Sequence, residues 1–350
     1  MSGVRSNGAV MALASAALFG ASTPLAKGLL GSVSPWLLAG MLYLGSGLGL
    51  LLLTAVRGDR SAVETPLRRK DVPWLAGAVI AGGIAGPLLL MIGLTSTPAA
   101  SAALLLNLEG LATMAIAWLV FRESTGPRVI LGALAILAGA IALSWQGGGL
   151  SFEVGGAFIA AACLAWGIDN NLTRKISASD PVQISMIKGL VAGATNLGLA
   201  LAFGAQLPPI WTTVAAGVVG LLGYGVSLIL FVLALRNLGT ARTGAYFSAA
   251  PFIGATVSII VLSEPITYQF AAAALLMSLG VYLHLTERHE HIHTHEPMEH
   301  EHAHSHDEHH QHHHGPNDPP GEPHSHWHRH APLMHKHPHF PDMHHTHKHS

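Results

Sequence analysis

Long apolar runs separated by short polar breaks fill the first 285 residues. They fall at roughly 8–29, 35–56, 72–95, 99–121, 127–145, 154–176, 182–204, 210–236, 240–262 and 267–285. Each holds roughly 20 residues, the length of helix that crosses a bilayer. The pattern therefore predicts an all-α polytopic membrane protein with ten transmembrane helices. Beyond residue 285 the pattern stops. Residues 286–350 show no apolar periodicity and are rich in His, Pro, Asp, Glu and Gly, so they are expected to be a disordered tail without a packed core.

Composition sharpens the contrast. Half the chain is hydrophobic and 11% is charged, against about 25% in soluble domains. The single cysteine, Cys163, lies inside an apolar run, so no intrachain disulfide forms and it reads as a small hydrophobe. The N-terminus MSGVRSNGAV leads into a full-length apolar segment, which reads as a first spanning helix rather than a cleaved signal. Basic residues gather in alternate loops: Arg57, Arg60, Arg68, Arg69 and Lys70, then Arg122 and Arg128, Arg174 and Lys175, and Arg236 and Arg242. Only Lys27 falls near a loop on the other side. Positive charge stays on the cytoplasmic side, so both ends are expected there.

The chain repeats itself. AALFGASTPLAKGLL (16–30) aligns with ACLAWGIDNNLTRKI (162–176), pairing Gly20 with Gly167 and Lys27 with Arg174. VFRESTGPRVILGALAILAG (120–139) aligns with VLSEPITYQFAAAALLMSLG (261–280), pairing Glu123 with Glu264 and Gly139 with Gly280. Two five-helix repeats follow, 1–146 and 147–285, with the tail at 286–350. An odd number of spans inverts the second copy, the architecture of alternating-access carriers with a site between the halves. Gly45 with Gly49 and Gly82 with Gly86 are GxxxG pairs that suit close helix packing, although abundant glycine alone would produce them. Pro24, Pro87 and Pro251 fall inside spans and can bend them.

Charges in hydrocarbon need a reason. Glu109 sits in the middle of the fourth run, with Asn107 two residues before it. It reads as a proton-coupling or cation-binding carboxylate on a transport path, or as a structural carboxyl. Asp169 and Lys188 are equidistant from the turn between the sixth and seventh runs, so they reach equal depth and can pair, as a gate or as a structural tie. Asn170 and Asn171 add groups that could coordinate a substrate. Glu123 and Glu264 lie at span ends and are expected to cap the next helix or its loop. No P-loop or catalytic triad is present, and imidazole is absent from the first 283 residues, so an enzyme is a poor reading. Nothing points to nucleic acid, and no cofactor is required.

All 25 histidines lie between His284 and His349. Neutral imidazole is the commonest metal ligand and suits Zn, Cu, Fe and Ni. The H-x-H stretches and their neighbours make a candidate metal set: His289, His291, His293, His295, His300, His302, His304, His306, His309, His310, His312, His313, His314, His324, His326, His328 and His330. Low-complexity drift is the bland alternative.

LFGASTPLAKGL, FRESTGPRVILGALAILAG and LSEPITYQFAAAALLMSLG resemble the EamA-type transporters of the drug/metabolite transporter superfamily over about 8–285. The resemblance implies a ten-helix carrier of the bacterial inner membrane, usually an exporter of metabolites or amino acids driven by an ion gradient. The tail departs from that pattern. The leading expectation is export of a divalent transition metal, nickel or cobalt before zinc, with the tail collecting ions. The alternative is a metabolite or amino-acid exporter whose tail stores or senses metal. A membrane-anchored metal reservoir without transport leaves the repeats unexplained. Expected partners are the lipid bilayer and the transported solute, with a homodimer left open.

Overall fold

The computed structural model describes residues 2–57, 66–121, 126–145, 154–176, 179–238 and 240–286, and the backbone of 290–294, 298–304, 324–330 and 334–338. The expectations for Arg60, Arg122, Glu123, His289, His295, His306, His309, His310, His312, His313 and His314 lie outside the described residues.

All ten apolar runs are helical. In chain order the spans are Ser2–Leu29, Pro35–Arg57, Arg69–Ser96, Ala99–Leu105 with Asn107–Phe121, Pro127–Ser144, Val154–Arg174, Pro181–Ala202, Ile210–Gly220 continuing through Ser227–Leu238, Thr240–Phe247 with Ala250–Leu262, and Tyr268–Leu285. Eight of them are long and apolar enough to cross a membrane. Span 6 is diluted by Asp169, Asn170 and Asn171, and span 9 is cut in two. Prolines Pro127, Pro181 and Pro251 stand in first turns, where the missing N–H costs nothing. Asp180 caps span 7 by accepting from the Val182 N–H at 2.8 Å, and Thr267 caps span 10 by accepting from Phe270 at 3.1 Å. Large apolar side chains such as Ile80, Leu131 and Val261 face outward, as lipid-facing residues do.

The helices pack as two inverted copies. Span 2 lies along span 7 and span 5 along span 10; span 1 packs on spans 8 and 9, as span 6 does on spans 3 and 4. The aligned glycines make equivalent contacts. A methyl on Gly20 would lie 3.0 Å from the Gly254 nitrogen, and one on Gly167 would lie 2.9 Å from the Thr113 nitrogen. Thr113 and Gly254 are separated by the same 141 positions as Gly139 and Gly280. A methyl on Gly139 would meet the Ala273 carbonyl, and one on Gly280 the Gly132 carbonyl. Gly45 presses on the Gly217 backbone and Gly49 on Leu221, while Gly82 and Gly86 press on Asp169 and Trp166. Both GxxxG pairs are therefore packing faces.

Two irregularities recur in the corresponding spans of both repeats. Span 4 breaks at Leu106 and span 9 at 248–249. Span 3 widens into a π-turn at Val79–Ala85 and span 8 at Leu221–Val226. In each π-turn a backbone N–H reaches back five residues, Gly86 to Ala81 and Ser227 to Leu222.

Glu264 corrects one expectation. It does not cap the next helix. Its carboxylate accepts from the Ala99 and Ala100 N–H groups at 2.7 and 2.8 Å, capping span 4 of the other repeat. Orphan N–H groups at a helix start favour an anion, whichever segment supplies it.

The expectation for the tail is a disordered segment without a packed core, and its described backbone is consistent with that. Its backbone forms two separate antiparallel ladders, Glu290–Thr294 with Met334–Pro338 and Met298–His304 with His324–His330. Two-stranded ribbons of this kind are marginal alone in water, so they provide no core.

Candidate functional site

The polar groups of the membrane body converge where the broken fourth span meets span 6. Breaking span 4 after Leu105 starts a new helix at Asn107 and places Glu109 in its first turn. Asn170 of span 6 donates to Glu109 Oε1 at 3.0 Å and to Thr113 Oγ1 at 3.1 Å. The Thr113 hydroxyl donates in turn to the Glu109 carbonyl at 2.9 Å. A single amide thus holds the carboxylate and leaves its other oxygen free of any contact described here.

Asn170 is exposed, yet it does not face lipid. The outward residues of span 6, Ala157, Ala161, Leu164 and Ile168, form one stripe. Asn170 lies roughly 200° around the helix from Ile168. Asn170 therefore sits on the side of span 6 that meets span 4.

Asp169 and Lys188 meet as their equal depth predicts. The ammonium lies 2.6 Å from both carboxylate oxygens, and the Thr173 hydroxyl donates to Oδ1 at 2.8 Å. The pair is 7% and 12% exposed. It presses on the span 3 π-turn: a Cβ on Gly82 would overlap Asp169 Oδ2, so only glycine leaves room for the carboxylate.

Three further donors surround the same π-turn. Tyr43 from span 2 and Trp166 from span 6 both donate to the Gly82 carbonyl, at 2.8 and 2.9 Å. Asn196 from span 7 donates to the Gly83 and Ile84 carbonyls at 3.3 and 3.4 Å and accepts from Trp36 at 3.1 Å. Tyr43 also stacks obliquely on Tyr224, which meets Phe19 edge-on. Aromatic rings therefore line the centre, with charge to one side.

Sequence reading found Glu109, Asp169, Asn170 and Lys188, and the structure brings these four together. Asn107 does not join them. Its amide donates to the Leu104 carbonyl at 2.8 Å and faces Met277 of span 10. Asn171 is buried and ties span 6 to span 4 through the Thr113 carbonyl at 3.1 Å. Tyr43, Trp166 and Asn196 went unnoticed because nothing in their local sequence marks a π-turn on another helix. The glycines at 82 and 83 were the available signal. Among the described residues no three His, Cys, Asp or Glu side chains converge as a metal group would need.

The comparisons with known proteins decide the family. The model of the EamA-like transporter family matches residues 6–145 and again 154–286. The chain belongs to the EamA-like transporter family. A double match is what two inverted repeats require. The chain is 29% identical over 282 residues to an uncharacterized transporter of Methanothermobacter thermautotrophicus, covering 76% of this chain and 82% of that one. A solved crystal structure superposes with a TM-score of 0.59 at 19% identity, covering 79% of this chain and 96% of the other. That likeness concerns the fold alone.

Proposed function

We propose that this EamA-like transporter is an ion-coupled exporter of a small charged organic solute, such as an amino acid, working by alternating access. The observation that carries the reading is Asn170: exposed on the face of span 6 that meets span 4 and bonded to Glu109 beside the Asp169–Lys188 pair. The site offers one acceptor carboxylate, one amide and a hydroxyl beside a buried, neutral ion pair whose charges a solute could share. That mixture suits a solute carrying both an ammonium and a carboxylate. Glu109 exchanges a proton for the ammonium and so couples the two fluxes, the usual business of an intramembrane carboxyl. Broken spans 4 and 9, at equivalent positions, supply the helix ends that carriers place around a substrate. The basic residues gathered in alternate loops support a reading with both ends on the cytoplasmic side.

A second reading, export of nickel, cobalt or zinc, is favoured by the confinement of all 25 histidines to His284–His349. In either case the tail binds divalent metal through imidazole. Uptake into inside-out vesicles separates the readings, using labelled amino acids alongside nickel, cobalt and zinc. It compares the full chain with a form ending at Glu287. Gradient-driven accumulation of an organic solute with either form supports the first reading. Accumulation of metal by the form lacking the tail overturns it.

A further inference from the structure

The two ladders of the histidine-rich tail share one register. The outer ladder pairs Glu290–Thr294 with Met334–Pro338, and the inner ladder pairs Met298–His304 with His324–His330. Eight residues separate Glu290 from Met298, and eight separate His330 from Pro338, so a single alignment of two chain segments runs through both ladders. Histidine holds odd positions in both outer strands and even positions in both inner strands. The switch falls between the ladders on each side.

Histidine therefore lands opposite histidine. His291 faces His337 and His293 faces His335 in the outer ladder. His300 faces His328, His302 faces His326 and His304 faces His324 in the inner one. Of the eleven histidines in the four strands, only His330 faces a different residue, Met298. Sliding either strand by one residue would set each of the others against a non-histidine. Between the histidines, Glu299 faces Arg329, an opposite-charge pair that favours the same register.

Strand alternation puts the paired histidines of each ladder on one face. Directly opposite positions lie roughly 5 Å apart, and same-face neighbours along a strand roughly 7 Å. Two adjacent pairs thus mark four corners, each roughly 4 Å from their common centre. Four imidazoles rooted at such corners can share one ion at metal–nitrogen distances of about 2 Å.

We propose that each ladder is a four-imidazole site for one borderline divalent ion, zinc, nickel or copper. The outer site is His291, His293, His335 and His337. The inner site is the central pair, His302 and His326, with one flanking pair. This rests on the reading that the tail binds divalent metal, and it assigns which histidines do so. An all-nitrogen set suits these ions over magnesium or calcium, which take oxygen. A two-stranded ribbon is marginal alone in water. The ion ties strands that otherwise part, so metal binding and ribbon closure are one event. The histidines at 309–314 lie outside both ladders and are not required.

The test removes the same number of histidines from different register positions of the full chain in detergent and titrates zinc against a chromophoric chelator. The native protein should hold about two zinc ions tightly, one per four-imidazole set. His302→Ala with His326→Ala breaks both possible inner sets and should leave about one. His304→Ala with His324→Ala spares two adjacent inner pairs and should leave both ions. His310→Ala with His313→Ala should leave both as well. Nitroxide labels on Ala303→Cys and Ser325→Cys, directly opposite in the inner ladder, read its closure in a Cys163→Ala background. Zinc should broaden their spectrum, and should not once His302 and His326 are replaced. The same zinc content in all three double variants, or zinc held without broadening, would overturn the register and leave metal binding by the tail standing. No zinc held by the native chain would overturn both.

Discussion

Replacing Lys188 by methionine tests the buried charge pair most sharply. Both Asp169 oxygens lie 2.6 Å from the ammonium, and the only other donor described is the Thr173 hydroxyl. With side chains 12% and 7% exposed, water cannot replace the lost partner. Lys188→Met strands a carboxylate beside Gly82, where no side chain can move in to meet it. Breaking a buried pair this way costs about 3–5 kcal/mol. Adding Asp169→Asn removes the stranded charge and keeps an acceptor for Thr173. The double variant should therefore recover to within about 1 kcal/mol of the native protein. Equilibrium unfolding in mixed micelles, followed by tryptophan fluorescence, measures all the corners of the cycle. A Lys188→Met loss no larger than that of the double variant would refute the claim that the two charges depend on each other.

Other expectations follow from single contacts. Gly20→Ala drives a methyl into the Ala250 carbonyl and should greatly reduce folded yield, whereas Gly28→Ala meets nothing within 4 Å and should be tolerated; detergent gel filtration reads both. Glu264→Ala removes two backbone hydrogen bonds at the start of span 4 and should cost about 1–2 kcal/mol, read as a lower midpoint in the same unfolding assay. Ending the chain at Glu287 should abolish high-affinity nickel or zinc binding by isothermal titration and leave the melting temperature of the membrane body in place.

Most of the fold was legible because lipid imposes a simple rule: a segment must be long, apolar and helical to cross. The repeat was legible as well, since glycines at helix crossings are constrained from both sides. Gly20 and Gly167, and Gly139 and Gly280, meet their partners in corresponding ways. The pairing of Asp169 with Lys188 followed from hairpin geometry alone. What stayed hidden was backbone irregularity. Span 4 breaks at Leu106 with no proline inside it, while Pro251 marked only the break in span 9. The π-turns leave hydropathy unchanged, so the roles of Tyr43, Trp166 and Asn196 could not be seen. Each acts on a carbonyl of a helix distant in sequence. Glu264 was misjudged for a similar reason. Its proper partner is 164–165 residues away, in the other repeat.

In the proposed mechanism Glu109 couples a proton to the solute in a path shared with Asn170. The most direct measurement is solute-driven proton movement in proteoliposomes carrying a pH-sensitive dye, comparing native protein with Glu109→Gln. An outward solute gradient should move protons through the native protein. Glu109→Gln, folded and inserted to the same level, should move none. Native-level proton movement through Glu109→Gln would contradict that mechanism.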